Sequence, residues 1–271
     1  MSITGVVIIF GAGKRVGASV AAKFASIGYK VALVSRSGTG TINEEGYLSL
    51  KADFTDPRSV APAFDAAETE FGTPPNVVVY NAGALSFPTD KTSVLSVPAD
   101  KIASDLNINT VSAYVAAQEA VKRWETLPAA TKKTFIYTGN ASNEILVPSP
   151  LWLTLGMGKS ASAFWVGLSD KLYEAKGYRW VVFLLQRDLA LTQPSRFFYA
   201  DERREDGTVK GNIDGPYHGE FFAHLATHEE KLPWQATFVK DKGYVHFDPK
   251  SVSVDKIMEM VKPMLDAWLK N

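Results

Sequence analysis

The chain has 271 residues, of which 46% are hydrophobic and 21% charged, so its composition is that of a globular protein and excludes general disorder. Its 29 Lys and Arg residues balance 29 Asp and Glu residues, and this neutrality argues against a nucleic-acid partner. Cysteine is absent, which excludes a disulfide scaffold, a thiol nucleophile and a cysteine-ligated metal site.

The apolar runs are too short to cross a membrane. The longest, Val6–Phe10 and Trp180–Leu185, have five and six residues, whereas a spanning helix needs about 20. The first five residues carry no basic stretch of the kind that opens a secretory signal. We therefore expect a cytoplasmic protein with no membrane partner.

Short β-branched runs alternate with longer segments of helical period. This pattern predicts βαβ units and an α/β fold with one doubly wound parallel sheet between two helical layers. Such sheets bind ligands at the carboxyl ends of their strands, so functional residues are expected in the loops there. The predicted strands are Val6–Phe10, Val31–Ser35, Tyr47–Ala52, Val77–Tyr80, Thr134–Thr138 and Trp180–Leu185, and the predicted helices cover 16–28, 57–71, 99–126 and 156–176.

A glycine-rich turn joins the first strand to the first helix. Glycines let the backbone approach a pyrophosphate, and the helix N-terminus offers free N–H groups. A strand precedes the turn and another begins 14 residues after it, which favours nucleotide binding over a purely structural turn. The turn comprises Gly11, Ala12, Gly13, Lys14, Arg15, Val16 and Gly17.

This turn resembles that of the short-chain dehydrogenase/reductase superfamily, whose motif reads Thr-Gly-x-x-x-Gly-x-Gly. Gly11 and Gly17 match the first and last glycines, whereas Phe10 replaces the threonine and Arg15 the middle glycine. Similar matches run from residue 5 to about 192. The resemblance implies a Rossmann-type fold.

Further residues match the family downstream. Asn81, Ala82 and Gly83 resemble its Asn-Asn-Ala-Gly sequence, and Asp53, followed by Phe54, resembles the acidic residue beside the adenine. Lys159 matches the lysine that binds the nicotinamide ribose. The remaining matches are Asn109, for the residue that kinks the fourth helix and helps a proton relay, and Thr192, for the carboxamide contact.

The acid–base residues depart from the family pattern. Leu155 occupies the position four residues before Lys159, where the family has its catalytic tyrosine, and leucine cannot donate a proton. Spacing assigns the catalytic serine to Ser142, whereas alignment of the strand end assigns that position to Asn140. The Pro-Gly that follows the family's sixth strand is Arg187-Asp188 here. The chain thus resembles a divergent branch that lacks the tyrosine of Tyr-x-x-x-Lys.

These matches imply an oxidoreductase that transfers hydride from NADPH to a small or medium organic substrate. A positioned general acid contributes about 10²–10⁴ in rate, so its loss disfavours ketones and favours C=N or activated C=C. Tyr199, Tyr217 and Asp188 are candidate substitute acids. Two alternatives remain open: a catalytically inactive NADP(H)-binding regulator or scaffold, and a redox-neutral isomerase or cyclase that reuses the pocket.

Basic residues near the second strand favour NADP(H) as the cofactor. Ser35 and Arg36 stand where an NAD enzyme usually has an acidic residue, and Lys14 and Arg15 lie in the glycine-rich turn. Cations here suit a 2′-phosphate, with solvation of a surface turn as the alternative.

The chain is expected to form a single domain, because α/β domains commonly reach about 250 residues. A cofactor-binding core would cover about 1–188. From about 189 to 250 the pattern loosens and the charge run 201–206 suggests a solvated loop, so we predict an excursion that covers the substrate. Residues 251–271 are expected to form a final helix, interrupted by Pro263.

Two other clusters allow more than one interpretation. Histidines and a glutamate within eleven residues could bind a metal, but they fit better as residues that cap or line a helix over the substrate cleft, so no metal is predicted. A set of aromatic residues could form a substrate pocket or pack a loop against the core. The first cluster is His218, Glu220, His224 and His228, and the second is Phe197, Phe198, Tyr199, Phe221, Phe222 and Trp234.

The resemblance also implies self-association. Members of the family commonly pair their fourth and fifth helices, here about 99–126 and 156–176, and both carry small and apolar residues. A homodimer or homotetramer is therefore expected.

Overall fold

A computed structural model of the chain describes residues 5–175, 195–248 and 253–270. The strands are β1 (Gly5–Phe10), β2 (Tyr29–Ser35), β3 (Thr41–Ile42), β4 (Leu48–Lys51), β5 (Val77–Tyr80), β6 (Lys133–Thr138), β7 (Ser195–Glu202), β8 (Gln235–Val239) and β9 (Gly243–Tyr244). The α-helices are α1 (Val16–Ser26), α2 (Val60–Phe71), α3 (Ala99–Leu106), α4 (Ser112–Trp124), α5 (Leu153–Ala175), α6 (Gly215–Thr227) and α7 (Val254–Lys270).

The strands form one sheet in the order β3-β4-β2-β1-β5-β6-β7-β8-β9. All neighbours from β4 to β8 are parallel, and the short edge strands β3 and β9 are antiparallel. Strand order reverses between β1 and β5, which opens a crevice at their carboxyl ends. The predicted doubly wound α/β fold is confirmed.

Helices cover both faces of the sheet. Alternate strand residues pack against α2, α4 and α5 on one face and against α1 and α6 on the other. We call these the α5 face and the α6 face. Because both faces are covered, the central strands are apolar throughout, as the sequence pattern indicated.

The first five predicted strands are present with small shifts at their ends, whereas Trp180–Leu185 lies outside the described residues. The predicted excursion over 189–250 is wrong for the described part of that range. There β7 and β8 extend the central sheet, and α6 covers one of its faces. The charges at the end of β7 suggested a solvated loop, but several of them are buried and paired.

The predicted helix over 99–126 is divided in the middle. A π-helical turn, Asn107–Val111, separates α3 from α4, and Asn109 lies within it. A π-helical turn frees backbone carbonyls from the regular helical ladder, so these groups need other partners. The predicted kink at Asn109 therefore takes the form of a local change of helix type.

A row of aromatic rings crosses the sheet on the α5 face. Phe10, Tyr80, Tyr137 and Tyr199 are register partners on β1, β5, β6 and β7. Their ring centroids are 6.0, 5.9 and 5.5 Å apart along the row. Tyr80 donates to the carbonyl of Ile108, and Tyr137 to that of Asn109, each at 2.6 Å. The row thus supplies partners to the π-helical turn.

Of the helices within the described ranges, none has both the length and the apolar character needed to cross a bilayer.

Candidate functional site

A cleft of about 710 Å³ opens at the carboxyl ends of β1, β2, β4 and β5, where the strand order reverses. The structure brings together here most of the residues predicted to bind a cofactor. The lining consists of Gly11, Ala12, Gly13, Lys14, Ser35, Arg36, Ser37, Asp53, Phe54, Thr55, Asn81, Ala82, Gly83, Ala84 and Ile108.

The glycine-rich turn is held close to the neighbouring loop. Gly11 has φ +90°, and a Cβ atom there would lie 2.4 Å from the backbone nitrogen of Ala82. A Cβ atom on Gly17 would lie 2.7 Å from the carbonyl oxygen of Gly11, whereas one on Gly13 would meet nothing within 4 Å. Gly11 and Gly17 are therefore required by the packing of the turn, while Gly13 keeps the cleft open.

The start of α1 can accept an anion. The side chain of Arg15, at the N-cap position, forms no capping hydrogen bond with the helix. The backbone nitrogen of Ala18 donates to the carbonyl of Gly13 at 2.9 Å, so the N–H groups of Val16 and Gly17, at the positive end of the helix, are the ones that suit a phosphate. Arg15 is exposed but is not among the residues that line the cleft, and its backbone lies against Gly215 of α6. Val16 is buried beneath the turn.

Two exposed cations border the cleft. Lys14 and Arg36 line it, and neither forms an ion pair with another described residue. Ser35 and Ser37 lie beside Arg36, with their hydroxyl oxygens 3.3 Å apart. These groups make one end of the cleft suitable for a phosphate ester.

The loop after β5 is fixed on both sides. The Nδ2 atom of Asn81 donates to the carbonyl of Gly11 at 2.8 Å. Asn109, which is fully buried, accepts from the backbone nitrogen of Ala84 at 2.9 Å and donates to its carbonyl at 2.8 Å. Asn109 thus joins the loop after β5 to the π-helical turn. Its side chain does not line the cleft.

Asp53 lies at the opposite wall of the cleft, just after β4. Its Oδ1 atom accepts hydrogen bonds from the backbone nitrogen and the hydroxyl of Thr55 at 3.0 and 2.9 Å. The carboxylate is exposed, whereas Phe54 beside it is buried. This arrangement leaves Asp53 available to a polar group in the cleft.

Lys159 lies on α5 and points into the protein. Its Nζ atom donates to the carbonyl of Thr138 at 2.6 Å and lies 4.4 Å from the centre of the Tyr137 ring. Burial lowers the pKa of Lys159 to about 7, although the charge of Asp201 acts in the opposite direction. The described residues that line the cleft do not include Lys159, nor Leu155 one turn before it.

A close approach between two helices holds Lys159 in place. A Cβ atom on Gly158 would lie 2.3 Å from the Cβ atom of Asn109. The neighbouring Ser162 donates from Oγ to the carbonyl of Asn109 at 2.9 Å. The start of α5 therefore packs directly on the π-helical turn.

Asn140 and Ser142 follow β6. The Oδ1 atom of Asn140 accepts from the backbone nitrogen of Ser142 at 3.0 Å. The Ser142 hydroxyl is buried and has no hydrogen-bond partner among the described residues, while its carbonyl accepts from Ser160 at 3.0 Å. Ser142, but not Asn140, lines a second pocket, which favours Ser142 as the side chain that meets substrate.

This second pocket, which we call the apolar groove, has a volume of about 590 Å³. It lies between the loop after β6 and the first turns of α5. Charged side chains are absent from the described residues that line it: Val94, Ser142, Ile145, Leu146, Val147, Pro148, Ser149, Pro150, Trp152, Leu153, Gly156, Met157 and Ser160.

The candidate substitute acids lie away from both pockets where they are described. Tyr199 is buried in the sheet, donates to the carbonyl of Asn140 at 2.8 Å, and has a pKa raised by burial. The hydroxyl of Tyr217 accepts from the backbone nitrogen of Gly243 at 2.8 Å on the α6 face. Asp188, Arg187 and Thr192 lie outside the described residues.

The sequence interpretation missed three charged residues at the end of β7. Asp201, Glu202 and Arg203 were assigned to a solvated loop, yet they are only 2%, 4% and 1% exposed. The available signal was the apolar run 197–200 that leads into them, because it is typical of a buried strand and β7 extends through Glu202. Only Arg204, Glu205 and Asp206 of the run are exposed.

The histidines do not lie over the predicted substrate cleft. His218 is buried on the α6 face, and the rings of His224 and His228 stack with centroids 4.0 Å apart beside Lys23 of α1. The aromatic residues Phe197, Phe198, Tyr199, Phe221 and Phe222 are buried in the two cores, and Trp234 packs against the core of the α5 face, so this set packs the fold on both faces of the sheet.

Residues 5–134 match the family described as short chain dehydrogenase. The short chain dehydrogenase/reductase dmxR12 of Cryptosporiopsis sp. (strain 8999) is 38% identical over 254 residues, which cover 89% of this chain and 94% of that protein.

Solved structures share the fold at lower identity. The short-chain dehydrogenase/reductase from Serratia marcescens BCRC 10948 has a TM-score of 0.62 and 22% identity, with 88% of this chain and 95% of that chain covered. A short chain dehydrogenase from Burkholderia cenocepacia J2315, in complex with NADP, has a TM-score of 0.66 and 17% identity, with coverage of 89% and 98%. A Brucella ovis oxidoreductase of the same family, with a partially ordered NAD, has a TM-score of 0.65 and 14% identity, with coverage of 87% and 98%.

The two glycines of the turn provide a matched test. We expect Gly11→Ala to lower the melting temperature and to abolish nucleotide binding, because the new methyl group meets backbone atoms and the residue has positive φ. Gly13→Ala should leave the melting temperature close to that of the wild type, because its methyl group has free space. Thermal unfolding with and without NADPH measures both effects. Equal melting temperatures for the two variants would contradict the assigned role of Gly11.

Proposed function

The chain belongs to the short-chain dehydrogenase/reductase family of oxidoreductases, and we propose that it transfers hydride from NADPH to a small or medium organic substrate. The observation that carries this proposal is the cleft at the strand reversal, where the glycine turn, the start of α1 and two cations meet. These groups fit a dinucleotide phosphate.

Individual residues would hold the cofactor as follows. The turn and the first N–H groups of α1 would bind the pyrophosphate, and Arg36 with Lys14 the 2′-phosphate. Asp53 would lie by the adenine, and Asn81 would fix the loop against which the cofactor packs. Lys159 would bind the nicotinamide ribose and Thr192 the carboxamide. Bound NADPH supplies the hydride.

The apolar groove is the proposed substrate site. It lies beside the start of α5 and is lined by Ser142, whose buried hydroxyl has no described partner and would bond to a substrate oxygen after a change of side-chain rotamer. A cation buried there would lack a carboxylate partner among the described lining residues, and an unpaired buried charge is costly. Of the two predicted substrate classes, the groove therefore favours an activated C=C over a cationic C=N.

The residues that supply the proton are proposed to differ from the family pattern. Leu155 contributes an apolar side chain one turn before Lys159, so a ketone would receive no proton from that position. Hydride addition to an activated alkene can take its proton from water. This difference is the reason to expect little activity on simple alcohols and ketones.

Binding without turnover is the second candidate function. It is favoured by the buried position of Lys159, whose ammonium group is bonded to Thr138 and does not line the described cleft. A redox-neutral isomerase or cyclase would use the same groove without consuming NADPH. The predicted cytoplasmic location stays a prediction.

NADPH consumption distinguishes these functions. With a panel of enones, imines and ketones, we expect fluorescence decay of NADPH with enones and negligible decay with simple ketones. Lys159→Ala should abolish this turnover, whereas Lys171→Ala, an exposed lysine on the same helix, should not. Leu155→Tyr should introduce weak carbonyl reduction. Brisk ketone reduction by the wild type would contradict the proposal, and binding of NADPH without any consumption would favour the second candidate.

Cofactor preference is tested at Arg36. A charge-assisted hydrogen bond contributes about 1.5–3 kcal/mol, so Arg36→Ala should weaken NADPH binding by roughly tenfold to a hundredfold. NADH binding by the same variant should not change, because NADH has no 2′-phosphate. Lys30→Ala, an exposed lysine at the other end of β2, is the charge control. Isothermal titration calorimetry measures the six affinities of the three proteins for the two cofactors, and equal wild-type affinities for NADH and NADPH would refute the preference.

A homodimer or homotetramer is also proposed. Phe164, Leu168 and Leu172 form an exposed apolar stripe along α5, and Phe164 is 76% exposed. Val111 and Tyr114 extend this apolar surface beside α4. Exposed apolar stripes of this kind mark protein interfaces.

Light scattering after size exclusion tests this association. The wild type should have two or four times the 29.6 kDa mass of one chain. Leu168→Glu should give a monomer, because it places a charge in the stripe. Leu269→Glu, at an exposed leucine of α7, should leave the mass unchanged. A wild-type mass of one chain would refute self-association.

A further inference from the structure

Three consecutive charged residues at the end of β7 are buried, and each needs a partner. Asp201, Glu202 and Arg203 are almost inaccessible to solvent. Charges that leave water are tolerated in a protein interior when they are paired and hydrogen-bonded. The partners of these residues therefore show what each charge does.

Strand alternation sends the two carboxylates to opposite faces of the sheet. Tyr199 belongs to the α5 face and Ala200 to the α6 face, so Asp201 points toward α5 and Glu202 toward α6. Glu202 accepts from Lys210 at 2.6 Å and from the backbone nitrogen of Asp214 at 2.8 Å. These bonds anchor the segment before α6, so Glu202 has a structural role.

Asp201 meets a different set of groups. Lys159 bonds to the carbonyl of Thr138, and Thr138 pairs in register with Ala200, the residue before Asp201. Lys159 also lies over Tyr137, whose ring stacks on Tyr199. The Lys159 ammonium and the Asp201 carboxylate therefore lie at the same end of the α5 face, although the direct ion pair of Asp201 is with Arg203. Burial raises the pKa of Asp201 to about 6, so its carboxylate is charged at pH 7, where each of the two charges favours the charged form of the other.

Arg203 fixes this carboxylate. Its guanidinium donates to Asp201, to Oε2 of Glu144 at 3.0 Å and to the carbonyl of Gly207 at 3.1 Å. The cluster thus has no net charge, because it contains two positive and two negative side chains. Its members are Lys159, Arg203, Asp201 and Glu144. The other titratable groups facing it are Tyr137 and Tyr199, both with a pKa raised by burial and so uncharged.

We propose that Asp201 is a positioning residue for Lys159: its carboxylate, fixed by Arg203, stabilises the Lys159 ammonium that is bonded at the end of β6, in the charge state in which the lysine meets the cofactor. This inference rests on the proposed function in one respect only, the role of Lys159 at the nicotinamide ribose. Arg203 and Glu144 hold the Asp201 carboxylate in place. Asp201 thus supports the retained lysine at a site whose tyrosine position is occupied by Leu155.

The two opposing effects on Lys159 give the sign of the expected change. Burial lowers the pKa of Lys159 to about 7, and the negative charge of Asp201 limits that decrease. Asp201→Asn removes the charge but leaves the lysine buried. The pKa of Lys159 should therefore fall further, by about one unit or more, so that the protonated fraction at pH 7 falls from about one half to about one tenth or less.

NMR titration of the protein without cofactor tests this directly. The Cε shifts of ¹³C-labelled lysines are followed from pH 5 to 11, and the Lys159 signal is assigned by its absence in Lys159→Met. We expect a midpoint near 7 in the wild type and a lower midpoint in Asp201→Asn. Asp206→Asn, at an exposed carboxylate of the same charge run, should not move the midpoint.

Asp201→Glu is the conservative control, because it keeps a carboxylate at this position. Its Lys159 midpoint should stay within about half a unit of the wild-type value, because a carboxylate is retained. If Asp201→Asn does not fold, the carboxyl titration of Asp201 in Lys159→Met replaces it: without the ammonium the Asp201 midpoint should rise above its wild-type value near 6, and an unchanged Asp201 midpoint would overturn the proposal. An unchanged Lys159 midpoint in folded Asp201→Asn would overturn it as well.

The result is independent of turnover. A coupled Lys159–Asp201 pair in a protein that consumes no NADPH would refute the proposed function and leave this inference intact. Where the substrate panel gives activity, kcat/KM should fall as pH rises through the Lys159 midpoint, and Asp201→Asn should move that fall to lower pH. A merely structural role of Asp201 would lower activity equally at every pH.

Discussion

The row of stacked rings across the sheet is the feature on which the site depends. Tyr80 and Tyr137 combine apolar stacking with hydroxyl groups that reach the carbonyls of the π-helical turn. The carbonyl of Asn109 accepts from Ser162 as well, and a buried carbonyl left without a partner costs about 1–3 kcal/mol. Because the carbonyls of the π-helical turn have these partners, the side chain of Asn109 can hold the loop after β5. The helix α5 can then pack closely on the π-helical turn.

This arrangement also separates the molecule into two functional parts. Backbone groups and exposed cations at the ends of β1 and β2 form the nucleotide cleft, which depends mainly on glycine geometry. The groove beside α5 is mainly apolar, and its polar side chains are Ser142 in the turn after β6, Ser149 in the following loop and Ser160 on α5. The two sites therefore differ in what forms them: backbone geometry and exposed cations form the cleft, and apolar side chains form most of the groove.

The end of strand β7 places charged side chains on both faces of the sheet. Asp201 and Glu202 are neighbours in sequence, yet one faces the lysine of α5 and the other anchors the segment leading to α6. Arg203, which follows them, joins β7 to the loop after β6 through Glu144. Buried charges of this kind are stable only as a set, so a change in one alters the electrostatics of the others.

The sequence alone determined the α/β class, five strands of the sheet and the nucleotide turn, because strand period, helix period and glycine spacing are local properties. It also located Asn109 and Lys159 through the family resemblance. It failed at residues 195–239, where charges suggested a solvent-exposed excursion, because pairing between Asp201, Arg203 and Glu144 joins segments far apart in the chain. Only the tertiary structure could show that Ser142 lines the groove while Asn140 does not, and that Lys159 faces a buried carboxylate. Burial and long-range charge pairing arise from how the segments pack, so residue type and spacing alone could not decide them.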